Sequence, residues 1–580
     1  MKIVINASTV NTHIRRSSLD KLYIQFGEPI LLNSNESMYI YSDNWTIRQR
    51  SLIDELLPRV YNDAIRAYEA SPVDYDYLCR RAAEMNICIE ILTEPETSNM
   101  TESLPVEFCY KTKPYAHQEE AIKFGLEHDR FLLGDEMGLG KTKTVIDLGV
   151  INKIKRGYKH CLIVCCVNGL KWNWEDEVKI HSNEKCHILG NRKNSRGNWV
   201  VRGVSARLED ILSIKSGKFD DTYFLITNIE TLRDKKIATE LSKLCDDGII
   251  NMIAVDEMHK CATNQSQQSK GLLKLKAQSM IAMTGSPIMN NPLDLYMPLN
   301  WLGYDRHNFT DFKNHFCRFG GNFNNIIGFK NMEQIQEILQ YMMLRRLKKD
   351  VLDLPDKIYS VEYVEMSNEQ SKIYNEVLND LRDKVDLIAT SKNPLANLIR
   401  LRQATGHTSI ISSTVSCSAK YDRCLELVKE YTNAGHKVIL FSNWTSMTDI
   451  LQIGLSSYNP AVITGATKNR QAEKDRFMTD PECKVIIGTT PCLGTGFTLT
   501  AADVVIFIDE PWTSANKLQA EDRAHRIGTK NNVQIITLVT KNTIDERIHH
   551  IVEKKKLLSD NLIDNLDCQQ ITELLNFLLF

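Results

Sequence analysis

Apolar positions along this chain fall into two textures. From about Lys113, short continuous runs (RFLLGDE, CLIVCCV, YFLITN, IINMIAVDE, SMIAMTGS) are each followed by a turn and a helical pattern. After Ser418 the same texture returns in KVILFSN, AVITG, KVIIGTT, VVIFIDE and VQIITLVT. Runs of this length without polar alternation predict strands buried on both faces of a parallel sheet, with functional residues just past their carboxyl ends. The fold class is therefore α/β, with two parallel-sheet lobes. Between them, Trp301 to about His407 reads as helical. Ile335, Ile338, Leu339, Met342 and Met343 recur at three-four spacing, as do Ile373, Val377, Leu381 and Val385. Such stripes predict core packing and carry no chemistry. Residues 1 to about 100 show alternating runs (KLYIQF, SMYIYS), then a helix-like stretch from Ser51, SLIDELLPRVYNDAIRAYEAS, and no chemical motif.

These textures divide the chain into a small α+β accessory domain (1–100), a first lobe (101–300), helical insertions (301–410), a second lobe (411–548) and a helical tail (549–580). A length of 580 residues with 43% apolar positions accommodates about three or four domains with real cores. No stretch of eighteen apolar residues occurs, and the first residues, MKIVINASTVNTHIRR, lack a long apolar segment and a cleavage site. A soluble, intracellular chain without membrane contact is expected. The fifteen cysteines are scattered, apart from the pair Cys165 and Cys166, and form no C-x-x-C motif. That spacing offers neither a disulfide scaffold nor a zinc site.

A formal net charge of −2 excludes a protein that coats nucleic acid through a general basic surface. Any polyanion site is local. The basic runs are RRLKK (Arg345 to Lys349), KKK (Lys554 to Lys556) and NRKNSR (Asn191 to Arg196), and the default reading of each is a solvated helix face.

Candidate chemistry begins with a repeated tripeptide. Asp-Glu-Met occurs in GDEMGLGKT, Gly134 to Thr142, and again in AVDEMHK, Ala254 to Lys260. The first follows the apolar run FLL and precedes a helical pattern, as a phosphate loop requires. Gly140, Lys141 and Thr142 match G-x-x-x-x-G-K-T, but Asp135 replaces its first glycine. Amides before a helix N-terminus cradle β- and γ-phosphates, a lysine neutralises them, and a threonine hydroxyl reaches Mg²⁺. The loop segment Asp135, Glu136, Met137, Gly138, Leu139, Gly140, Lys141 and Thr142 is the candidate ATP cradle. Asp135 pointed at phosphate is unfavourable, so its carboxylate either caps the loop or reaches the other lobe. The second copy ends a buried strand with two carboxylates. Asp256 is placed to hold Mg²⁺, and Glu257 to orient and deprotonate water.

In order, DEMGLGKT, IVCCVNGLKWNWEDE, LITNIETLR, DEMHK, MTGSPIMNNPLDLY, MLRRLKKDVLDLPDK, KVILFSNWTSMTDIL, GFTLTAADVVIFIDEPW and QAEDRAHRIG resemble the Swi/Snf-type ATPases of helicase superfamily two. The resemblance covers about Lys113 to Ile548. It implies two RecA-like lobes, ATP and Mg²⁺ as cofactors, and DNA as partner, duplex or branched, held through its backbone with little sequence specificity. It also implies that Gln118 in PYAHQ reads adenine, and that Thr284 and Ser286 in TGSP couple the nucleotide and DNA sites. In the second lobe Gln519 joins the nucleotide site, while Arg523 and Arg526, expected on one helix face at i, i+3, meet the transferring phosphoryl group. Thr227 with Asn228, Ser442 with Asn443, and Thr489 with Thr490 correspond to motifs that contact the DNA backbone. Trp512 lies beside that track, with packing and DNA-facing roles both open. One departure concerns a Gly-Gly pair usual in the family, replaced by Leu493 and Gly494 with Gly496 retained.

The resemblance implies a cleft closed by ATP and reopened on hydrolysis, hence translocation on duplex DNA. Four outcomes are distinguishable: a duplex translocase remodelling forks, branch points or annealing strands; a strand-separating helicase; an ATPase displacing proteins such as RNA polymerase, with residues 1–100 recognising a protein partner; and a silent scaffold, opposed by intact Lys141, Asp256, Glu257, Arg523 and Arg526. A monomer is expected.

Overall fold

The computed structural model describes residues 2–6, 38–42, 45–53, 59–62, 67–70, 75–93, 107–166, 170–193, 195, 197, 199–261, 266–287, 292–305, 308–320, 325–382, 395–494, 497–526, 528–550 and 552–553. KLYIQF, Val385, Gly496 and Lys554 to Lys556 lie outside these residues. Contacts divide the chain into two compact units, one made largely of residues 1–346 and the other largely of residues 347–560.

The first unit opens on a five-stranded sheet of β1 (Lys2–Asn6), β2 (Met38–Tyr41), β3 (Arg59–Asn62), β4 (Ala67–Ala70) and β5 (Cys88–Thr93), in the order β3-β4-β2-β1-β5. Helices Ile47–Ile53 and Tyr75–Glu84 close a small core of Ile40, Leu52, Ile53, Leu78 and Ala82. The helix expected from Ser51 onward is not formed. The described helix there ends at Ile53, and RVYN and AYEA pair as antiparallel strands. Tertiary strand pairing overrides the helix-like pattern over these residues.

Beyond it lies a seven-stranded, wholly parallel sheet in the order β16-β6-β13-β12-β7-β11-β8. Its strands are β6 (Arg130–Leu133), β7 (His160–Cys165), β8 (Lys185–Ile188), β11 (Thr222–Asn228), β12 (Ile250–Val255), β13 (Ser279–Met283) and β16 (Met343–Leu344). The hairpin β9 (Asn191–Lys193) and β10 (Trp199–Val201) forms a separate two-stranded ribbon. Every residue of β7, β11, β12 and β13 is buried, as continuous apolar runs require when helices cover both faces. Phe131, Leu133, Val145, Ile146, Ile163, Ala254 and Ile281 share one core.

The second unit is built on a six-stranded parallel sheet, β17-β22-β21-β18-β20-β19. Here β17 is Lys357–Val364, β18 Val438–Ser442, β19 Ala461–Ile463, β20 Val485–Thr489, β21 Val504–Phe507 and β22 Val533–Thr540. Its sheet faces are covered by two apolar clusters, one around Phe441, Ile486 and Phe507, the other around Leu440, Leu451 and Ile506.

Residues 301–407 are not uniformly helical. They contain the hairpin β14 (Cys317–Gly320) and β15 (Asn325–Phe329), the short β16, and β17, which pairs with β22 over eight residues. Ile335, Ile338, Leu339 and Met342 do bury one face of the helix Met332–Met342, but Met343 leaves it to join β16. KIYSVEYV alternates along an edge strand and so lacks the continuous run that marks a central one.

Candidate functional site

Three neighbouring strands of the seven-stranded sheet, β6, β13 and β12, carry at their carboxyl ends the phosphate loop, Thr284 with Ser286, and Asp256 with Glu257. After β6 the backbone runs through Gly134 to Leu139 and enters the helix Lys141–Arg156 at Gly140. Gly138 and Gly140 have φ of 90° and 79°, left-handed values that L side chains rarely adopt. A Cβ at Gly140 would collide with the Gln118 amide nitrogen, so the loop and Gln118 are in van der Waals contact. Gln118 is buried in the first turn of the helix Ala116–Glu127, and its Oε1 accepts the Tyr115 N–H at 3.1 Å. It is thus fixed against the loop rather than lying on the surface. Lys141 Nζ donates to the Asp135 and Glu136 carbonyls at 2.7 and 3.3 Å, which folds the ammonium over the loop. Thr142 lies in the first turn of the same sixteen-residue helix, where the helix dipole favours anions. Leu139 is fully buried, and Met137 half-buried.

The orientation of Asp135 has a plain answer. Its carboxylate turns away from the loop's mouth and is gripped by Arg346, Nε to Oδ1 at 3.0 Å and Nη2 to Oδ2 at 2.5 Å. Arg346 also donates to the His117 carbonyl, and its own carbonyl accepts the Glu136 N–H at 3.0 Å. Arg345 Nη1 donates to the carbonyls of Gly134, at 3.1 Å, and Gly285, at 3.3 Å. In RRLKK these two arginines therefore brace the loop, a role that the sequence reading, which took the run as a solvated face, missed. The signal available was Asp135 itself, an acid where a glycine is usual.

At the end of β12, Asp256 and Glu257 stand side by side. The Asp256 N–H donates to the Val164 carbonyl at 2.9 Å, and the Trp174 indole donates to Asp256 Oδ2 at 3.1 Å. Trp174, from the helix Leu170–His181, is a further site residue that the sequence reading missed, although it stood in a quoted motif. Burial first, then the Glu257 charge, pushes the Asp256 carboxyl up to about 6, against the pull of Trp174 and Lys141. Glu257 has φ of 51°, and the other non-glycine residues at positive φ among the described residues are all asparagines. A glutamate held in this region is strained, and such strain clusters at functional sites. His259 Nδ1 lies 3.3 Å from Glu257 Oε2 and 3.1 Å from Thr284 Oγ1, which in turn accepts the Ser286 N–H at 3.1 Å. Burial, then the Lys260 charge, drops the imidazole to about 3, so a neutral ring hydrogen-bonds Thr284 and lies beside the Glu257 carboxylate. Hard oxygen donors at Asp256 and Thr142, an excess of negative charge beside them, and a glycine cradle that a Cβ would fill together fit a Mg²⁺ ion with a nucleotide phosphate chain.

In the same unit Thr227 is buried. Asn228 Oδ1 accepts from Thr231 Oγ1 at 2.8 Å and from Lys171 Nζ at 3.3 Å, so its amide orders the turn after β11.

In the second unit Gln519 lies on the helix Ser514–Glu521, but Arg523 and Arg526 do not share a helix face. That helix ends at Glu521, and both arginines sit in the turns after it. The reason is Asp522: Lys348 and Lys357 hold its carboxylate at 2.7 and 2.8 Å, and against the effect of burial they keep it well below the usual carboxylate range. Arg523 is buried, with Nε donating to the Gln519 carbonyl at 3.0 Å and Nη1 to the Phe497 carbonyl at 3.2 Å. Arg526, half-buried, donates from Nη1 to Thr498 Oγ1 at 3.0 Å. Ser442 Oγ donates to Asp509 Oδ2 at 2.6 Å, and Asn443 Nδ2 to the Asp509 and Glu510 carbonyls at 3.3 and 3.0 Å. Thr489 precedes the short helix Thr490–Leu493, and Thr490 Oγ1 donates to the Ser442 carbonyl at 3.4 Å. Trp512 is neither buried nor bare: it is 38% exposed and carries the buried Arg402 guanidinium 4.4 Å from its ring centroid.

The sequence is similar to known proteins over most of its length. The chain is 28% identical over 564 residues to the Chromodomain-helicase-DNA-binding protein 3 homolog of Caenorhabditis elegans, covering 89% of this chain and 30% of that protein. It is 29% identical over 457 residues to the ISWI chromatin-remodeling complex ATPase ISW1 of Saccharomyces cerevisiae, 74% of this chain and 38% of the other. An uncharacterized ATP-dependent helicase of Mycoplasma pneumoniae is 26% identical over 487 residues, 81% and 44% respectively. The chain thus spans about a third to a half of the length of the curated relatives it matches. Among solved structures, the Sulfolobus solfataricus SWI2/SNF2 ATPase core in complex with dsDNA aligns at 23% identity with a TM-score of 0.36, covering 82% of this chain and 99% of that one. The family description "SNF2-related domain" matches residues 117–410, and "Helicase conserved C-terminal domain" matches residues 419–528. With half of its length in the first of these and the second following directly, the chain belongs to the Swi/Snf family of helicase superfamily two.

Proposed function

We propose that this chain is an ATP-driven translocase on double-stranded DNA that remodels DNA structures such as forks or branch points. The observation that carries the reading is that a glycine phosphate loop after β6 and a recessed Asp256 with a strained Glu257 after β12 stand at the carboxyl end of one parallel sheet, with only β13 between them. In a catalytic cycle Gln118 would contact the adenine, the loop amides and Lys141 the phosphates, and Thr142 and Asp256 the Mg²⁺. The metal, when bound, supplies charge neutralisation across the phosphate oxygens. Glu257 orients the attacking water and takes its proton, with the neutral His259, hydrogen-bonded to Thr284, packed beside that carboxylate. Arg523 and Arg526 would supply the charge that the transferring phosphoryl group needs. Thr227, Asn228, Ser442, Asn443, Thr489 and Thr490 stand at strand ends or in the turns after them, where side chains and backbone amides meet phosphate without reading bases.

Steady-state ATP hydrolysis measured with duplex, single-stranded and forked DNA and with RNA, at one stated salt concentration, tests this. Stimulation by duplex or fork without strand separation is expected, whereas stimulation by RNA alone would sink the reading, and net unwinding would convert it to a helicase. Glu257→Gln should bind ATP as the wild type does while turnover falls about 10²–10⁴-fold. Undiminished turnover would remove Glu257 from the base role.

A further inference from the structure

The ribbon β9–β10 takes no part in the chemistry above, yet its surface is unusual. Trp199 is 56% exposed, with Val200 at 40% and Val204 at 38% beside it. Trp199 leaves more than half of its large aromatic surface in water, and an indole so placed offers a flat apolar face with a polar edge to a ligand. Lys193 is the direct cross-strand partner of Trp199, and its Nζ stands 5.2 Å from the ring centroid. Among the described residues, Lys193 and the exposed Arg202 have no carboxylate partner, in contrast to Arg192, which pairs with Asp210 at 2.7 Å and Glu209 at 3.2 Å. From Asn191 to Leu208 the sequence holds five cations and no carboxylate, in a chain whose net charge is −2. A protein-binding surface would deplete lysine at its centre. An exposed indole with one unneutralised cation beside it and a second just past the end of its strand fits a ligand that presents flat π-faces on a polyanionic backbone.

We infer that Trp199, Lys193 and Arg202 form an accessory site for single-stranded nucleic acid, in which Trp199 stacks on an unpaired base while the two cations meet its phosphates. The inference rests on the DNA-directed reading of the motor and specifies which part of a branched substrate this ribbon contacts. Stacking on one base is worth about 1–3 kcal/mol, so Trp199→Ala should weaken binding of a single-stranded oligonucleotide by about 5- to 150-fold. Blunt-duplex binding and duplex-stimulated hydrolysis should be unchanged. Trp199→Phe should keep most of the affinity. Lys193→Gln with Arg202→Gln should lower the salt slope of single-strand binding by about 1.4, at roughly 0.7 per phosphate contact.

The test is equilibrium binding of the full chain and these variants to an oligothymidylate, a fork and a blunt duplex at fixed salt. A second readout is independent of how well the alanine variant folds. The fluorescence lost between wild type and Trp199→Phe belongs to Trp199, and the oligothymidylate should quench that component. An unquenched component, or Trp199→Ala binding single strands as the wild type does, overturns the site, and a protein as the ribbon's ligand would give the same silent result. A wild-type chain that binds no nucleic acid and is not stimulated by it fails the motor reading itself. A chain stimulated by duplex but indifferent to changes at Trp199 fails this inference alone.

Discussion

Two identical Asp-Glu-Met turns end two strands of one sheet, and their side chains meet opposite environments. Asp135 is neutralised by a two-point contact with Arg346, its side chain 2% exposed and that of the arginine 10%. Asp256 is offered an indole N–H and a second carboxylate, and burial first, then the Glu257 charge, raises it to about 6. The first is a structural ion pair, and the second is where the proposed cation would sit. Removing one partner of a buried pair leaves a charge uncompensated and costs about 3–5 kcal/mol, whereas replacing both partners with apolar groups costs much less. Asp135→Asn should therefore lower the thermal unfolding midpoint by several degrees, and the Asp135→Leu, Arg346→Met double variant, apolar at both positions, should lose less than that. An undisturbed midpoint in the single variant would show that the pair adds nothing to stability.

At the scale of elements, the sequence announced the central strands because burial on both faces leaves an unbroken apolar run. KIYSVEYV, at the sheet edge with Tyr359 and Tyr363 half in water, escaped for the same reason. The turn holding Arg523 and Arg526 escaped because what ends its helix is Asp522, drawn to Lys348 and Lys357 from more than 160 residues away in sequence. Local spacing carries no trace of such a contact. The phosphate loop was legible because its glycines answer a local demand. Gly140 combines positive φ with a Cβ position already filled by Gln118. Gly140→Ala should cost about 1–3 kcal/mol of stability from the backbone conformation alone and should displace Gln118, which nucleotide titration would read as weaker ATP binding. The helix Leu170–His181 supplies a pH dependence. Burial, then the Arg207 charge, lowers Lys171 to about 8 from 10.5. Between those values the native chain holds fewer protons than the unfolded one, so stability rises with pH across the window. Denaturant midpoints recorded from about pH 8 to about pH 10 should climb in the wild type and climb less in Lys171→Met.

The molecule is two units, each with its own parallel sheet and core, and the chemistry proposed for it is divided between them. Lys141 belongs to the loop that would hold the nucleotide, whereas Arg523 and Arg526 are carried on a different sheet. On that reading, binding and turnover separate by unit. Lys141→Ala should weaken a fluorescent ATP analogue and abolish phosphate release together. Arg526→Ala should leave analogue affinity near wild type and reduce phosphate release about 10³-fold, the scale on which an arginine acts on a transferring phosphoryl group. The two arginines should also differ. Two guanidinium nitrogens of Arg523 donate to the carbonyls of Gln519 and Phe497, so Arg523→Ala loosens the turn and lowers the unfolding midpoint as well as turnover. Arg526 is half-buried where Arg523 is buried, so its loss should fall more on turnover than on the midpoint. Groups acting as one catalytic unit are not additive, and Lys141→Ala with Arg526→Ala should be no slower than Lys141→Ala alone. If Arg526→Ala weakens the analogue as much as Lys141→Ala does, the arginine serves ground-state binding and the division of labour between the units fails.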